Sequence, residues 1–274
     1  VLIAVYSVTR PGAMEGVKYF LVPNVKNFSW MTVVAAMGQM FYSLSIAMGI
    51  LITFGSYMKK ETSLEDSTRN VEVFDTAIAI MAGLMIIPAV FAFSGGDPDT
   101  LQAGPALMFI TIPKVFENMG FGTVVGILFF LLVLFAAVTS SIALTESAVS
   151  TFEDELGWSR RRATVLVGVI MIALGSLSSL GYGPLAGIKI IGMQFLDFFD
   201  FLTNSVMMPI AAMLTSLFVS RIVGMKRMEE EIMHGESTFR RKKIFIVMIK
   251  YLCPVFALII LISSVANAFG WIAM

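Results

Sequence analysis

The sequence predicts an all-α protein that crosses a membrane several times. Of its 274 residues, 57% are hydrophobic and 14% are charged, whereas soluble globular proteins carry about 25% charged residues. The mean hydropathy is +0.86, and the apolar residues fall into runs long enough to cross a bilayer as helices. The one cysteine and one histidine exclude a disulfide framework and a histidine- or cysteine-rich metal site. The net charge of zero argues against a nucleic-acid partner.

The chain opens in an apolar stretch that lacks the charged start and the cleavage site of a signal peptide. We expect residues 1–9 to be the end of a severed helix, and the chain therefore to be a fragment. Six complete spans are predicted between residues 30 and 268. Basic residues concentrate in alternate loops, at 59–60, 160–162 and 221–243. By the positive-inside rule these loops are cytoplasmic, and the intervening loops lie outside.

The first complete span contains a run from Gly38 to Gly49 with two glycines, a glutamine and two serines. A helix that only had to cross the bilayer would not need these residues, since glycine lowers helix propensity and serine hydroxyls can hold released backbone groups. Unpaired backbone groups at membrane depth are tolerated only where they line a cavity or bind something. The run therefore predicts a break in the helix and a binding site.

Two loops are expected to have structure of their own. Residues 95–120 hold an apolar stretch that is too short and too rich in proline to span, which indicates an external lid. Residues 222–239 alternate methionine and isoleucine with charged residues at helical spacing, which indicates an amphipathic cytoplasmic helix or, equally, a solvated connector.

Polar residues inside the spans leave alternatives open. Thr139, Ser140 and Ser141 are consecutive hydroxyls that either bond back to the preceding helical turn or serve as hard oxygen ligands for sodium. Hydropathy alone places Asp75 at the inner edge of the membrane. Asp197 and Asp200 share one helical face, where a solvated helix start is the simpler interpretation.

Three motifs together resemble the neurotransmitter:sodium symporter family, in its bacterial branch. They are Arg10-Pro-Gly-Ala-Met-Glu-Gly16, then Gly38-Gln39 with Phe41-Tyr-Ser-Leu-Ser45 and Ile52-Thr-Phe-Gly-Ser-Tyr57, and last Thr139-Ser-Ser-Ile-Ala143 with Phe152-Glu-Asp-Glu-Leu156 and Ser159-Arg160. The resemblance runs from the end of the family's fifth helix onward. It implies the second inverted repeat of a five-plus-five helix fold with one further C-terminal helix, within a partial transporter domain over 1–274.

The resemblance assigns each segment a place in that fold. The segments are the end of a fifth helix (1–9), an external loop (10–29), a broken helix (30–58), a helix (67–94), an external lid (95–120), helices at 121–156, 160–182 and 190–220, an amphipathic cytoplasmic segment (222–239) and a last helix (241–268).

The resemblance also implies a midplane site at the broken helix. The matching substrate positions are Tyr42, Ser43, Ser45, Met48, Ser140 and Leu144. One sodium ion would bind the carbonyl of Ala136 and the hydroxyls of Thr139 and Ser140, and a second would bind Ser43 and Asp75. The apolar wall of Tyr42, Met48 and Leu144 favours a hydrophobic amino acid as substrate.

By the same resemblance Asp75 lies deeper than hydropathy places it. Many relatives have asparagine at this position, so a fixed carboxylate predicts transport that does not need chloride. Asp200 matches an outer gate, and Asp154 with Tyr57 matches an inner gate.

The expected function is sodium-coupled symport of amino acids by alternating access in a bacterial plasma membrane. Sodium, the amino acid and the bilayer are the expected partners, with no organic cofactor, and a homodimer is left open. The alternative is a truncated, non-transporting membrane protein or scaffold of the same fold. A membrane enzyme is disfavoured because the spans hold no histidine, no nucleophile beside a base and no metal cluster.

Overall fold

The structure, a computed structural model, describes residues 1–94, 104–117, 120–235 and 238–271. In these ranges the regular structure is helical, and the only β-type pairing is an isolated bridge between Ile190 and Met193. The helices are α1 (Leu2–Val8), α2 (Ala13–Leu21), α3 (Trp30–Ser43), α4 (Ile50–Ser56), α5 (Leu64–Ser94), α6 (Ile112–Glu117), α7 (Gly122–Leu156), α8 (Arg160–Leu180), α9 (Phe195–Val223), α10 (Met225–Ile232) and α11 (Lys242–Ala268).

Helices α5, α7, α8, α9 and α11 are long and apolar enough to cross a membrane, so the chain is a multi-pass membrane protein. The expected broken helix over 30–58 consists of two short helices. Helix α3 has 14 residues and α4 has 7, whereas a single helix needs about 20 residues to cross the hydrocarbon core. The unwound segment between them is thus the feature that separates this span from the others.

Side-chain hydrogen bonds explain where two of the helices, α3 and α5, begin. Helix α3 begins after a capping box, in which the Ser29 hydroxyl accepts the Thr32 N–H and the Thr32 side chain accepts the Ser29 N–H. Helix α5 begins at Leu64, earlier than the expected 67, because the Ser63 hydroxyl accepts the N–H of Asp66 at 2.9 Å.

Wide π-helical turns lie within α9 and α11. The turns Phe201–Met207 and Met248–Leu252 end just before Met208-Pro209 and Cys253-Pro254. Proline donates no amide hydrogen bond and its ring clashes with the carbonyl four residues back, so a widened turn accommodates it. Both helices therefore continue through a residue that would otherwise end them.

Two expected segments differ in extent from the structure. Of the external lid over 95–120, residues 95–103 and 118–119 lie outside the described residues, and the rest forms a π-helical turn over Leu107–Thr111 followed by α6. In the segment 222–239, α10 covers Met225–Ile232, with Ile232 buried and Lys226 exposed.

The chain forms two compact units. The first contains Val1–Phe28 and Asn70–Ser140. Its core is an apolar cluster of Ala89, Val90, Ile112, Val115, Phe116 and Phe129. Helix α2 packs closely on α5, because a Cβ atom at Gly16 would lie 2.9 Å from the Cα of Pro88.

The second unit contains Ser29–Arg69 and Ser141–Met274. Its main core joins α3, α9 and α11 through Val34, Phe41, Met208, Ala212, Ala257 and Ile260. A smaller cluster of Val149, Ala163 and Val167 packs α7 against α8. The connection between these two helices is fixed by Phe152 and Trp158, whose rings stack at 5.5 Å.

Candidate functional site

The centre of the candidate site is the unwound segment Leu44–Gly49 between α3 and α4. Ser45, Ala47 and Gly49 have positive φ angles of 54°, 64° and 78°. This conformation is uncommon for residues other than glycine and is maintained only where the surrounding structure enforces it. The N–H groups of Ser45 and Ile46 bond to the carbonyls of Tyr42 and Phe41 at 3.0 and 2.9 Å. These two hydrogen bonds end α3 where the unwound segment begins.

Helix α7 supports the far side of the break. The Ser147 hydroxyl, which is 7% exposed, donates to the Met48 carbonyl at 3.4 Å. A Cβ atom at Gly49 would lie 2.6 Å from the Ser147 oxygen. One turn further along α4, the hydroxyls of Thr53 and Ser150 lie 3.3 Å apart. The unwound segment is therefore held by polar contacts from a neighbouring helix, and glycine is required where the two approach most closely.

Four of the expected substrate residues lie in the unwound segment or in the last turn of α3 before it. Tyr42 and Ser43 are exposed, whereas Ser45 and Met48 are half-buried. The side chain of Met48 packs on the core formed by α3, α9 and α11. The remaining two, Ser140 and Leu144, are exposed residues of α7 and fall in the first and the second unit respectively.

The expected sodium ligands of α7 follow helical spacing. Ala136, Thr139 and Ser140 lie at i, i+3 and i+4, which places them on one face. The Thr139 hydroxyl lies 3.0 Å from both the Phe135 and the Ala136 carbonyl oxygens. The hydroxyl thus bonds back to the preceding turn, yet a hydroxyl and a carbonyl each keep lone pairs with which to bind a cation.

Asp75 is a half-buried residue of α5. Eleven residues of the helix precede it, which corresponds to about 16 Å. Because α5 begins at Leu64, Asp75 lies well inside the helix rather than at its start. Ser43, its expected partner in sodium binding, belongs to the second unit.

A cavity of about 350 Å³ lies between α3, α9 and α11, and we call it the outer cavity because the expected outer-gate residue Asp200 lines it. It contains Tyr42 and Asp200, which the sequence assigned to substrate binding and to a gate. The Asn204 amide donates to the Asp200 carboxylate at 2.5 Å. The lining residues are Val34, Ala35, Gly38, Gln39, Tyr42, Asp200, Asn204, Ser205, Ile260 and Ser264.

Outside the spans, Tyr182 follows α8 in the loop that leads to α9. Its side chain is about half exposed, and partial desolvation of the phenol, together with the nearby Asp197 carboxylate, raises the pKa of Tyr182. Like an ordinary tyrosine, the phenol is neutral at physiological pH. Carboxylates, not Tyr182, supply the negative charge in this part of the second unit.

A polar cluster joins α4, α7 and α8, and we call it the inner cluster. The Tyr57 hydroxyl donates to Glu146 at 2.7 Å. Arg160 contacts the other oxygen of Glu146 at 2.5 Å and Glu153 at 3.2 Å. Glu146 is thereby bound by a hydroxyl and a guanidinium group at the same time, which is a charge-assisted arrangement.

Sequence reasoning did not identify Glu146 and paired Tyr57 with Asp154 instead. Asp154 is exposed, and the hydroxyl of Tyr57 is directed to Glu146. A signal for Glu146 was present, since it is the first ionisable residue of α7, after 24 uncharged residues of that helix. An ionisable residue at such a position marks a functional site by default. The role of Asp154 stays a prediction.

Apolar helices that are long enough to span a membrane, together with one span that is unwound in its middle, are features of secondary transporters. The model of the Sodium:neurotransmitter symporter family matches residues 1–270. The chain belongs to this family.

Individual relatives agree with the family match. The chain is 33% identical over 237 residues to the uncharacterised sodium-dependent transporter YhdH of Bacillus subtilis (strain 168), covering 86% of this chain and 52% of the relative. It is 33% identical over 259 residues to an uncharacterised sodium-dependent transporter of Haemophilus influenzae, covering 94% of this chain and 55% of the relative. The chain thus spans about half the length of these relatives.

A solved structure, that of MhsT in complex with L-phenylalanine, is similar with a TM-score of 0.83 and 36% identity. The similarity covers 96% of this chain and 59% of MhsT. The expected fold, the second half of a symporter with inverted repeats, is therefore confirmed.

Proposed function

We propose that this chain forms the second half of a sodium-coupled symporter of hydrophobic amino acids. The observation that carries the proposal is the unwound segment Leu44–Gly49, with its positive φ angles at two residues that are not glycine. Strain of this kind persists where a ligand or a fixed neighbour makes use of it. At membrane depth such a break is tolerated where it lines a cavity, and transporters use such breaks to bind substrates and ions.

The substrate ammonium group is proposed to bind at the carboxyl end of α3. The C-terminal end of a helix carries a partial negative charge, which favours a cation. Ser43 and Ser45 lie at this end, with Ser140 as a further proposed contact. The side chains of Tyr42, Met48 and Leu144 form an apolar wall. MhsT, which was crystallised with L-phenylalanine, supports a substrate with a hydrophobic side chain.

Sodium is proposed to bind two sets of oxygen atoms. The first set is the Ala136 carbonyl with the Thr139 and Ser140 hydroxyls, which are hard ligands suited to an alkali cation. The second set is Ser43 and Asp75. Each sodium ion entering down a potential of about 100 mV supplies roughly 2.3 kcal/mol to drive substrate uptake.

Asp75 is proposed to replace chloride as the negative charge beside sodium. The experiment is uptake by the full-length protein in liposomes with an imposed sodium gradient, in sodium chloride and in sodium gluconate. We expect wild-type uptake to be equal in the two salts. The Asp75→Asn variant should lose most uptake in gluconate and recover part of it in chloride. Equal uptake by the variant in both salts would exclude this role.

The substrate class is tested in the same liposomes. We expect radiolabelled L-phenylalanine or L-leucine to accumulate against its gradient only when sodium is higher outside. Glutamate and lysine should not accumulate, because the proposed wall offers them no charged partner. Uptake that is indifferent to sodium would overturn the proposal.

Alternating access in a bacterial inner membrane completes the proposal, with Asp200 at an outer gate and Tyr57 with Asp154 at an inner gate. The matches to sodium-dependent transporters over most of the chain do not favour a non-transporting scaffold.

A further inference from the structure

The three consecutive arginines at the start of α8 have different surroundings. Arg160 is neutralised by Glu146 and Glu153 in the inner cluster. Arg161 and Arg162 are exposed, and among the described residues neither forms an ion pair or a side-chain hydrogen bond. These two adjacent guanidinium groups therefore have no counter-charge among the described residues.

A groove of about 410 Å³ lies beneath these two arginines. Its remaining lining residues are Val165, Leu166 and Val169, so its floor is aliphatic. Val165 and Val169 are about three-fifths exposed, at 60% and 59%. The groove thus has two cations at its mouth and apolar side chains along the helix below them.

The opposite face of α8 determines which way this groove opens. Ala163 and Val167 are buried against Val149 of α7. Since Val165 and Val169 are displaced from these residues around the helix, they are directed away from the packed face. An exposed aliphatic face on a helix that can span a membrane is a surface suited to lipid acyl chains.

The chemistry of the groove matches a phospholipid with an anionic headgroup. Guanidinium groups bind phosphate oxygens in a bidentate geometry, and their positive charge disfavours the cation of a choline headgroup. Valine and leucine side chains provide a surface for an acyl chain, which free phosphate would not use. Basic residues at the cytoplasmic surface attract anionic lipids, and the positive-inside rule places these arginines there.

We propose that Arg161, Arg162 and the aliphatic groove below them bind one anionic phospholipid of the cytoplasmic leaflet. The headgroup phosphate lies between the two guanidinium groups, and an acyl chain follows Val165 and Val169. Arg160 is already ion-paired in the inner cluster, so Arg161 and Arg162 hold the lipid. This site is independent of the proposed substrate and sodium sites.

Native mass spectrometry of the purified full-length protein tests this proposal. Phosphatidylglycerol and phosphatidylcholine with the same acyl chains are titrated separately. We expect one phosphatidylglycerol per chain to bind with at least about tenfold preference over phosphatidylcholine. Replacing both arginines, Arg161→Gln with Arg162→Gln, should lower that affinity by roughly 10- to 30-fold, since each basic residue contributes about fivefold near an anionic surface.

The matched control removes the same charge from α10, with Lys226→Gln and Arg227→Gln. Lys226 is 92% exposed and is paired only weakly, at 4.0 Å from Glu230. Affinity for phosphatidylglycerol should change less than twofold in this control. Equal losses in the two double variants, or equal binding of the two lipids, would overturn the proposal. Displacement of the lipid by millimolar inorganic phosphate would show a free anion site and would also overturn it.

Discussion

The carboxylate at the outer cavity and the carboxylate of the inner cluster have different hydrogen-bond and ion-pair partners. At the outer cavity, Asp200 is exposed and accepts a hydrogen bond from the neutral amide of Asn204. At the inner cluster, Glu146 is bound by the Tyr57 hydroxyl and by the Arg160 guanidinium. The negative charge of Glu146 is balanced within the chain, whereas that of Asp200 faces a cavity.

The two carboxylates therefore differ in where their counter-charge lies. Helix α7 has 35 residues, or about 52 Å, which exceeds the about 30 Å hydrocarbon core. The helix is therefore longer than a single span requires, and its last turns carry Glu153 to Arg160. The inner cluster ties α4, α7 and α8 together through side chains of the described residues. Among the described residues Asp200 forms no ion pair, and we propose that its charge meets a cation from a substrate or from another segment.

The largest expected effect comes from removing the carboxylate of the inner cluster. Glu146→Ala leaves Tyr57 and Arg160 without their shared acceptor, so the inner end should open more readily. We expect sodium-driven uptake to fall by about thirtyfold, within the usual range of coupling free energies. Glu146→Gln, which can still accept from Tyr57, should lose less. Exposed Glu155 is the matched control, and a comparable loss in Glu155→Ala would contradict the role of the cluster.

A somewhat smaller effect is expected at the break that lies between the two ends. Gly49→Ala introduces a Cβ atom 2.6 Å from the Ser147 oxygen, at a φ of 78°. We expect a loss of about 1–3 kcal/mol in the free energy of unfolding, read as a lower melting temperature. Gly55→Ala is the control, because its added Cβ would meet no atom within 4 Å. A stabilised Gly49→Ala variant would show that the break can relax.

The carboxylate of Asp200 should contribute less to the stability of the fold than the glycine at the break does, and more to the affinity for the amino acid. Asp200→Asn keeps the shape of the side chain and removes the charge that faces the cavity. We expect the KM for the amino acid to rise about fivefold, equivalent to about 1 kcal/mol, while the melting temperature is unchanged. Asp197→Asn, on the same helix, is the control. An unchanged KM in Asp200→Asn would mean that the charge of Asp200 is not used.

The smallest effect is expected at the hydroxyl pair one turn below the break. Thr53→Val removes a 3.3 Å contact with Ser150 and preserves the shape of the side chain. We expect a loss of about 0.5–1.5 kcal/mol in the free energy of unfolding, the usual net value of one hydrogen bond. Thr68→Val, whose exposed hydroxyl bonds back to Leu64 within α5, is the comparison and should change stability less. Chemical denaturation in detergent would measure both variants.

The sequence was sufficient for the fold class and for most of the spans. Runs of apolar residues predict α5, α7, α8, α9 and α11 because a bilayer requires a minimum helix length and few charges. The break near Ser43 was expected from glycine and serine, whose propensities act locally. Helix ends were less accurate, as at α5, because capping by Ser63 depends on one side chain.

The polar contacts of the site were much harder to predict. Tyr57 and Glu146 are separated by 89 residues, and Ser147 and Met48 by 99. No local propensity or periodicity links residues so far apart in the chain. The resemblance to a family identified Tyr57 and did not identify the carboxylate that its hydroxyl contacts.

The sequence by itself determined that this is a multi-pass helical membrane protein, that one span is broken, and which hydroxyls and carboxylates lie within the spans. These properties depend on hydrophobicity and helix propensity, which act over neighbouring residues. Only the tertiary structure decided that α7 supports the break, that Glu146 joins Tyr57 to Arg160, and that Asp200 faces a cavity. These properties depend on which side chains meet when the helices pack, and packing is a property of the whole fold.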